Sequence, residues 1–269
     1  IRLNAFFRFF SMGYYYVHVV FINFLSLIGL TGLIRIFIHY CPENKNTVAL
    51  TTMFMPSVLF WGSGLLKDPV MISMFGLLLY MVFQIREKGF SSTRIILFSL
   101  LLFSLFFIKM YVMVTAFPGL LVMLFSKAKT WKKSLLLMTG SYFIYFLLAF
   151  NFGRVDDRYD VSDMIYYKQK NFIKDVEEKQ PGSAFKIAEL EPGVMSILKN
   201  SPEAFFTSLC RPFITEIKGN PLIALSAVEN LFMMTLLIGG LFYLKKRPAD
   251  EFILFCFFLF LFLFLLFQN

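Results

Sequence analysis

Ile95–Phe125 reads IILFSLLLFSLFFIKMYVMVTAFPGLLVMLF, and it carries one charge, Lys109, near its middle. A helix needs about 20 apolar residues to cross the hydrocarbon of a bilayer. This run is too long for one crossing, so it reads as a hairpin of two short spans with Lys109 at the tip. The run Thr47–Gln84 has the same form and is interrupted by Lys67-Asp68-Pro69. Single crossings fit Val17–Ile38, Ser134–Phe152, Leu222–Leu244 and Phe252–Phe267. The expectation is an all-α, polytopic transmembrane helix bundle of about eight membrane segments, two pairs of them short hairpins with charged tips. Residues 1–152 form an N-terminal transmembrane region, 153–220 one external helical loop, and 221–269 a C-terminal transmembrane region.

Composition agrees with a membrane solvent. The chain of 269 residues is 58% hydrophobic, has 37 Phe and is only 16% charged, where soluble domains carry roughly 25% charge. A net charge of +9 would point to nucleic acid in a soluble protein. In a membrane protein it reflects the Lys/Arg excess of cytoplasmic loops, and no nucleic-acid partner is expected. Cys41, Cys210 and Cys256 are far apart and odd in number, which gives neither a disulfide framework nor a metal-ligand spacing. The chain opens on Ile1 and closes directly after an apolar run, which reads as sequence missing at both ends.

Basic loops orient the segments. Arg86, Lys88 and Arg94 flank one loop, Lys127, Lys129, Lys132 and Lys133 another, and Lys245, Lys246 and Arg247 a third. With these cytoplasmic, Ile1–Tyr16, Lys67-Asp68, Lys109 and Gly153–Asn220 fall on the external face, and Cys41–Asn46 on the cytoplasmic one. The long loop holds ten Lys/Arg and eleven Asp/Glu, lacking the positive bias of the others. Within it, Asp160–Lys179 and Ala184–Leu190 read as polar helices. Ser201-Pro202-Glu203 reads as an N-cap and first-position proline opening the apolar stretch Ala204–Leu209. Arg2 and Arg8 among Phe6, Phe7, Phe9 and Phe10 resemble an amphipathic interfacial helix.

Ionisable groups against hydrocarbon cost about 2.5–3.5 kcal/mol on insertion scales and are candidates for function. They are Lys67, Asp68, Lys109 and Glu229. Gly62 and Gly64 ahead of Lys67 permit close approach of backbone to a ligand or neighbour. The functional reading puts Lys67 on a phosphate at the membrane surface. The bland alternative is that Asp68 caps the helix restarted by Pro69, while Lys67 and Lys109 only reach to the interface. Glu229 and Asn230 lie two turns into their span, where Asn230 fits an interhelical hydrogen bond and Glu229 needs a partner. Arg211, just before that span, suits bidentate phosphate binding. His18 reads as a packing or hydrogen-bonding residue, and no metal site can be assembled with His39 on the other face. Asp156, Asp157, Asp160 and Asp163, interleaved with Arg154, Arg158, Lys168 and Lys170, read as a solvated face. No Gly-rich phosphate loop or nucleophile elbow appears, so no cofactor is expected.

Several of these stretches together resemble a known type. Arg2-Leu3-Asn4, Ser11-Met12-Gly13-Tyr14, Ser26-Leu27-Ile28-Gly29, the run from Pro56-Ser57 to Lys67-Asp68, Arg211-Pro212-Phe213 and Glu229-Asn230 are similar to bacterial multi-spanning envelope-polysaccharide proteins of the GT-C glycosyltransferase and O-antigen polymerase type. The resemblance covers most of the chain and is most specific between Pro56 and Asp68. It implies a location in the bacterial inner membrane, a polyprenyl-phosphate-linked sugar donor on the outer face, a saccharide acceptor, and membrane lipid around the bundle. On that reading Lys67, Arg211 and Lys109 contact the donor phosphate, and Glu229 or Asp68 orients these cations or serves as acid/base. The acidic residue such enzymes carry in their first external loop has no counterpart here, nor does a basic tail after the last span. A lipid-linked-oligosaccharide flippase or transporter, or a non-catalytic assembly subunit, is the alternative.

Overall fold

The computed structural model describes residue 8 and residues 11–126, 131–151, 160–179, 188–213 and 221–244. Ten α-helices and one 3-10 turn are present among the described residues, and no strand is. They are α1 (Tyr15–Tyr40), the 3-10 turn (Pro42–Asn44), α2 (Lys45–Phe54), α3 (Pro56–Gly62), α4 (Lys67–Lys88) and α5 (Ser92–Ile108). Then come α6 (Met110–Phe125), α7 (Trp131–Asn151), α8 (Val161–Lys179), α9 (Val194–Cys210) and α10 (Pro221–Leu244). The chain divides into two units, Ile1–Val114 and Thr115–Asn269.

Among the described residues three helices are long and apolar enough to cross a membrane: Tyr15–Tyr40, Lys67–Lys88 and Lys132–Asn151. Ser92–Ile108, Met110–Phe125 and Ile223–Thr235 are shorter apolar helices. Phe24, Phe103, Phe107, Phe143 and Leu148 all stand exposed on these helices. A water-soluble monomer hides apolar area of this extent, whereas lipid is a suitable solvent for it.

In the first unit α1 packs on α4, and α4 on α5. Gly29 lies on Ile72 and Ser73, Gly32 on Gly76 and Tyr80, and His39 stacks on Phe83 with ring centroids 4.9 Å apart. Numbers rise together along both helices, so α1 and α4 run parallel. Residues 41–66 must therefore travel back along the bundle, and they do so as two pieces, α2 and α3. The close approach is made by small residues. A Cβ on Gly29 would lie 2.6 Å from the Ile72 carbonyl oxygen, and one on Gly76 2.8 Å from the Gly29 carbonyl carbon, so neither position accepts a side chain without moving backbone. Such small-residue contacts let helices pack at backbone distance in lipid. Ile22, Leu30, Ile36, Leu78, Val82 and Leu105 fill the remainder of this core.

The α4–α5 connection is the antiparallel hairpin of the unit. Gly89, at φ 78°, ends α4 in the left-handed region that glycine enters without penalty. Arg94 donates to the Lys88 and Gly89 carbonyls at 3.1 and 2.6 Å, closing the turn.

In the second unit α7 packs on α8 and α9 on α10. Tyr142, buried in α7, donates its hydroxyl to the Thr115 carbonyl at 3.0 Å, a few residues before Pro118 interrupts the ladder of α6. Asp160 caps α8, accepting from Ser162 N and Oγ and from Asp163 N. Buried Gln169 donates to the Ala188 carbonyl and accepts from Leu190 N, at 3.1 and 2.8 Å, tying the chain before α9 to α8.

Several expectations need correction. The first arm of the expected hairpin Thr47–Gln84 is not one continuous span. Met55 is held extended at φ −60°, ψ 125° because a residue before proline is excluded from the helical region. Pro56 therefore splits the first arm into pieces of 10 and 7 residues. Residues 188–190 of the expected helix Ala184–Leu190 are not helical; Gln169 takes the Ala188 carbonyl and the Leu190 amide instead. Ser201 is not an N-cap: α9 starts at Val194 and runs through Pro202. Ser201 Oγ donates back to the Ile197 carbonyl at 2.6 Å, so the turn before the proline stays helical. The interfacial segment with Arg2, the basic residues Lys127, Lys129 and Lys245–Arg247, the acidic pair Asp156-Asp157 with Arg154 and Arg158, and the last span Phe252–Phe267 with Cys256 lie outside the described residues.

Candidate functional site

The two charged interruptions meet. Lys109 Nζ donates to Asp68 Oδ1 in an ion pair across 41 positions of sequence, with the side chains 21% and 26% exposed. The local structure explains how. α4 begins at Lys67 with Leu66 in the cap position and no side-chain cap. Asp68 therefore sits in the first turn, where a negative charge complements the helix dipole and Pro69 loses only an amide that has no helical partner. α5 ends at Ile108, and Lys109 occupies the break before α6 at φ −148°, ψ 84°. Antiparallel α4 and α5 bring that break back to the start of α4. Lys109 also lies 5.8 Å from the Tyr111 ring centroid.

Asp68 is thus not the N-cap that the sequence suggests; its carboxylate is turned to Lys109. Lys67 stands beside it, exposed, at a position where a cation opposes the helix dipole. Its charge is not there for the stability of α4. Phe60 and Trp61, edge to face at 5.2 Å and both exposed, lead into this corner. Gly62 is buried against Ser26 of α1, so this glycine serves helix packing, while Gly64 lies against the Leu66 side chain.

The second unit gathers a separate pair. Asn230 Nδ2, on α10, donates to the Arg211 carbonyl at 2.5 Å, and the Arg211 amide donates to the Thr207 carbonyl at 3.1 Å. Asn230 therefore makes the packing bond expected of it, fixing the end of α9 to α10, and Arg211 is held partly buried at that joint. Glu229 precedes Asn230 on α10 and is partly exposed.

His18 is buried and shares a hydrogen bond with Ser11, which holds the turn Ser11–Tyr14 onto α1 as a structural contact. The residue that sequence reading passed over is Arg35. It lies inside the first span, and its Nη1 donates to the Tyr80 hydroxyl at 3.4 Å. A charge within an apolar run was the available signal, obscured because the run is long enough without it.

Comparison with protein-family models, with curated proteins and with solved structures returns no match.

Proposed function

We propose that the chain is an integral membrane glycosyltransferase or polysaccharide polymerase that uses a polyprenyl-phosphate-linked sugar at the external face of a bacterial cytoplasmic membrane. The observation that carries this reading is the Asp68–Lys109 pair with Lys67 exposed beside it. Two isolated charges, each costly in lipid, are brought to one end of the α4–α5 hairpin, and a second cation is added where the helix gains nothing from it. In the proposed topology that end is external, eight segments cross or re-enter the bilayer, and residues 153–220 lie on the same side.

Chemically, Lys67 holds the leaving phosphate, and Lys109, oriented by Asp68, adds positive charge where negative charge develops as the glycosidic bond breaks. Asp68 keeps its second oxygen to accept from an acceptor hydroxyl. Glu229 and Arg211, on the second unit, are a carboxylate and a guanidinium whose chemistry suits proton transfer and phosphate binding.

Binding of a polyprenyl-phosphate sugar to the purified protein, followed by turnover, tests the proposal. Lys67→Met removes a charge-assisted contact worth about 1.5–3 kcal/mol, so donor affinity or activity falls about tenfold or more. Lys67→Arg recovers part of it, a planar fork replacing a compact ammonium. Lys45→Met, on the opposite end of the unit, is silent. Normal donor binding in folded Lys67→Met protein returns Lys67 to the role of an interfacial anchor.

A further inference from the structure

At the far end of α1 and α4 from the Asp68–Lys109 pair lies a second polar cluster, which holds a cation and no carboxylate. Arg35 Nη1 donates to the Tyr80 hydroxyl at 3.4 Å, and its guanidinium carbon is 5.7 Å from the Tyr80 ring centroid. Gln84 Nε2, one turn on, donates to the same hydroxyl at 2.7 Å. The phenol oxygen thus accepts twice, and its own O–H is left to donate to another group. No carboxylate pairs with Arg35 among the described residues. The guanidinium has five N–H donors, and most of them have no acceptor in the cluster.

The position of the cluster selects its occupant. Arg35 is exposed on the same stripe of α1 as Phe24, Leu27 and Thr31, a run at helical spacing that faces lipid. It lies five residues before the end of α1, roughly 7–8 Å along the axis at 1.5 Å per residue. A side chain of this length reaches from there to the headgroup layer. Arg is the cation suited to the fork of phosphate oxygens. Lys45, Arg86 and Lys88 belong to the same end of the unit, against Glu43 and Glu87, so the surroundings favour an anion.

We propose that Arg35, Tyr80 and Gln84 form a binding site for the headgroup phosphate of an anionic membrane phospholipid. The phosphate oxygens accept from the Arg35 guanidinium and the Tyr80 hydroxyl, and the acyl chains lie along the Phe24–Leu27–Thr31 stripe. The site is independent of the saccharide chemistry proposed for the opposite end.

The test uses the full chain purified in uncharged detergent, read by native mass spectrometry and by thermal unfolding. The additions are phosphatidylglycerol, a diacylglycerol of the same chains, and inorganic phosphate. Phosphatidylglycerol is expected to be retained and to raise the unfolding temperature, and the other two to do neither. Arg35→Met weakens phosphatidylglycerol binding at least tenfold, and Tyr80→Phe, which keeps the aromatic ring and removes only the hydroxyl, weakens it several-fold. Lys174→Met in α8 leaves it unchanged. If Arg35→Met does not fold, Tyr80→Phe carries the test in the same direction. Unchanged phosphatidylglycerol affinity in the folded variants overturns the site. Equal stabilisation by diacylglycerol removes the phosphate from it, and equal stabilisation by inorganic phosphate alone removes the lipid; either outcome refutes the proposal.

Discussion

Asp68 and Lys109 hold each other at a depth where neither charge is well solvated, and that sets what their removal does. Lys109→Met leaves the Asp68 carboxylate without its counter-charge. Stranding a fully buried partner costs about 3–5 kcal/mol; with about a quarter of each side chain still exposed, a loss of about 1–3 kcal/mol is expected. The double variant Asp68→Asn, Lys109→Met removes both charges and recovers most of that loss. Unfolding of the three proteins in detergent checks this, and equal stability of the single and double variants would mean that an unpaired Asp68 carboxylate costs nothing there. A second residue-scale consequence concerns pH. Hydrogen bonds from the Ser162 hydroxyl and from the Asp163 and Ser162 amides hold the Asp160 carboxyl below its usual value. Its contribution to the start of α8 is therefore complete above the ordinary carboxylate pKa and is lost as pH falls through the lowered one. Asp160→Ala should speed amide exchange at Ser162 and Asp163 at neutral pH, with the difference from the parent narrowing in acid. A constant difference across pH would assign the effect to something other than the ionised cap.

At the scale of elements, the charges at 67–68 and 109 announced breaks in the apolar runs, and breaks are what the chain has there. Their pairing was not legible, because hydropathy locates interruptions but not which helices become neighbours. Pro56 was legible and was outweighed by the apolar run around it, although the restriction on Met55 is local and strong. Ser201-Pro202 misled in the other direction: a cap signature matters only where the preceding turn has nowhere to pack, and Ile197 there is buried. Arg211 and Asn230 were both singled out, and they meet through a backbone carbonyl that no reading of side-chain chemistry identifies. Hardest to see was the α1–α4 contact, because Gly29 and Gly32 face Ser73 and Gly76 with no motif in either run that names the other. It yields a sharp expectation. Gly76→Val pushes a branched side chain into the Gly29 backbone and should destabilise by about 1–3 kcal/mol or more, the usual cost of overpacking. Gly140→Ala, where a Cβ meets nothing within 4 Å, should be neutral or slightly stabilising, since alanine is the better helix former. Thermal unfolding of both in one detergent decides it, and a tolerant Gly76 would mean that α1 and α4 do not approach this closely.

On the scale of the whole molecule, the parallel course of α1 and α4 ties the membrane sidedness of the first unit to a geometric fact independent of loop charge. If both helices cross in the same direction, their ends near Glu43 and Phe90 share one face, and their beginnings, near Tyr14 and Ser63, share the other. The break at Lys109 joins the second group through its pair with Asp68. The basic residues Arg86, Lys88 and Arg94 name the first face cytoplasmic, so charge and geometry make separate claims that one experiment can compare. Single cysteines at Glu43, Phe90, Ser63 and Met110, in a background without Cys41, Cys210 and Cys256, are labelled in intact cells with a membrane-impermeant maleimide. Ser63→Cys and Met110→Cys are expected to react from outside, and Glu43→Cys and Phe90→Cys only after the membrane is opened. A reversed pattern would keep the helix arrangement and refute the charge-based orientation, placing the Asp68–Lys109 pair on the cytoplasmic side, where the proposed donor chemistry does not belong. Opposite labelling of Glu43 and Phe90 would instead break the parallel pairing of α1 and α4 itself. A reporter at Gly182 extends the comparison to the long loop: it should sort with Ser63, and a cytoplasmic Gly182 would remove residues 153–220 from the face on which the transfer is proposed to occur.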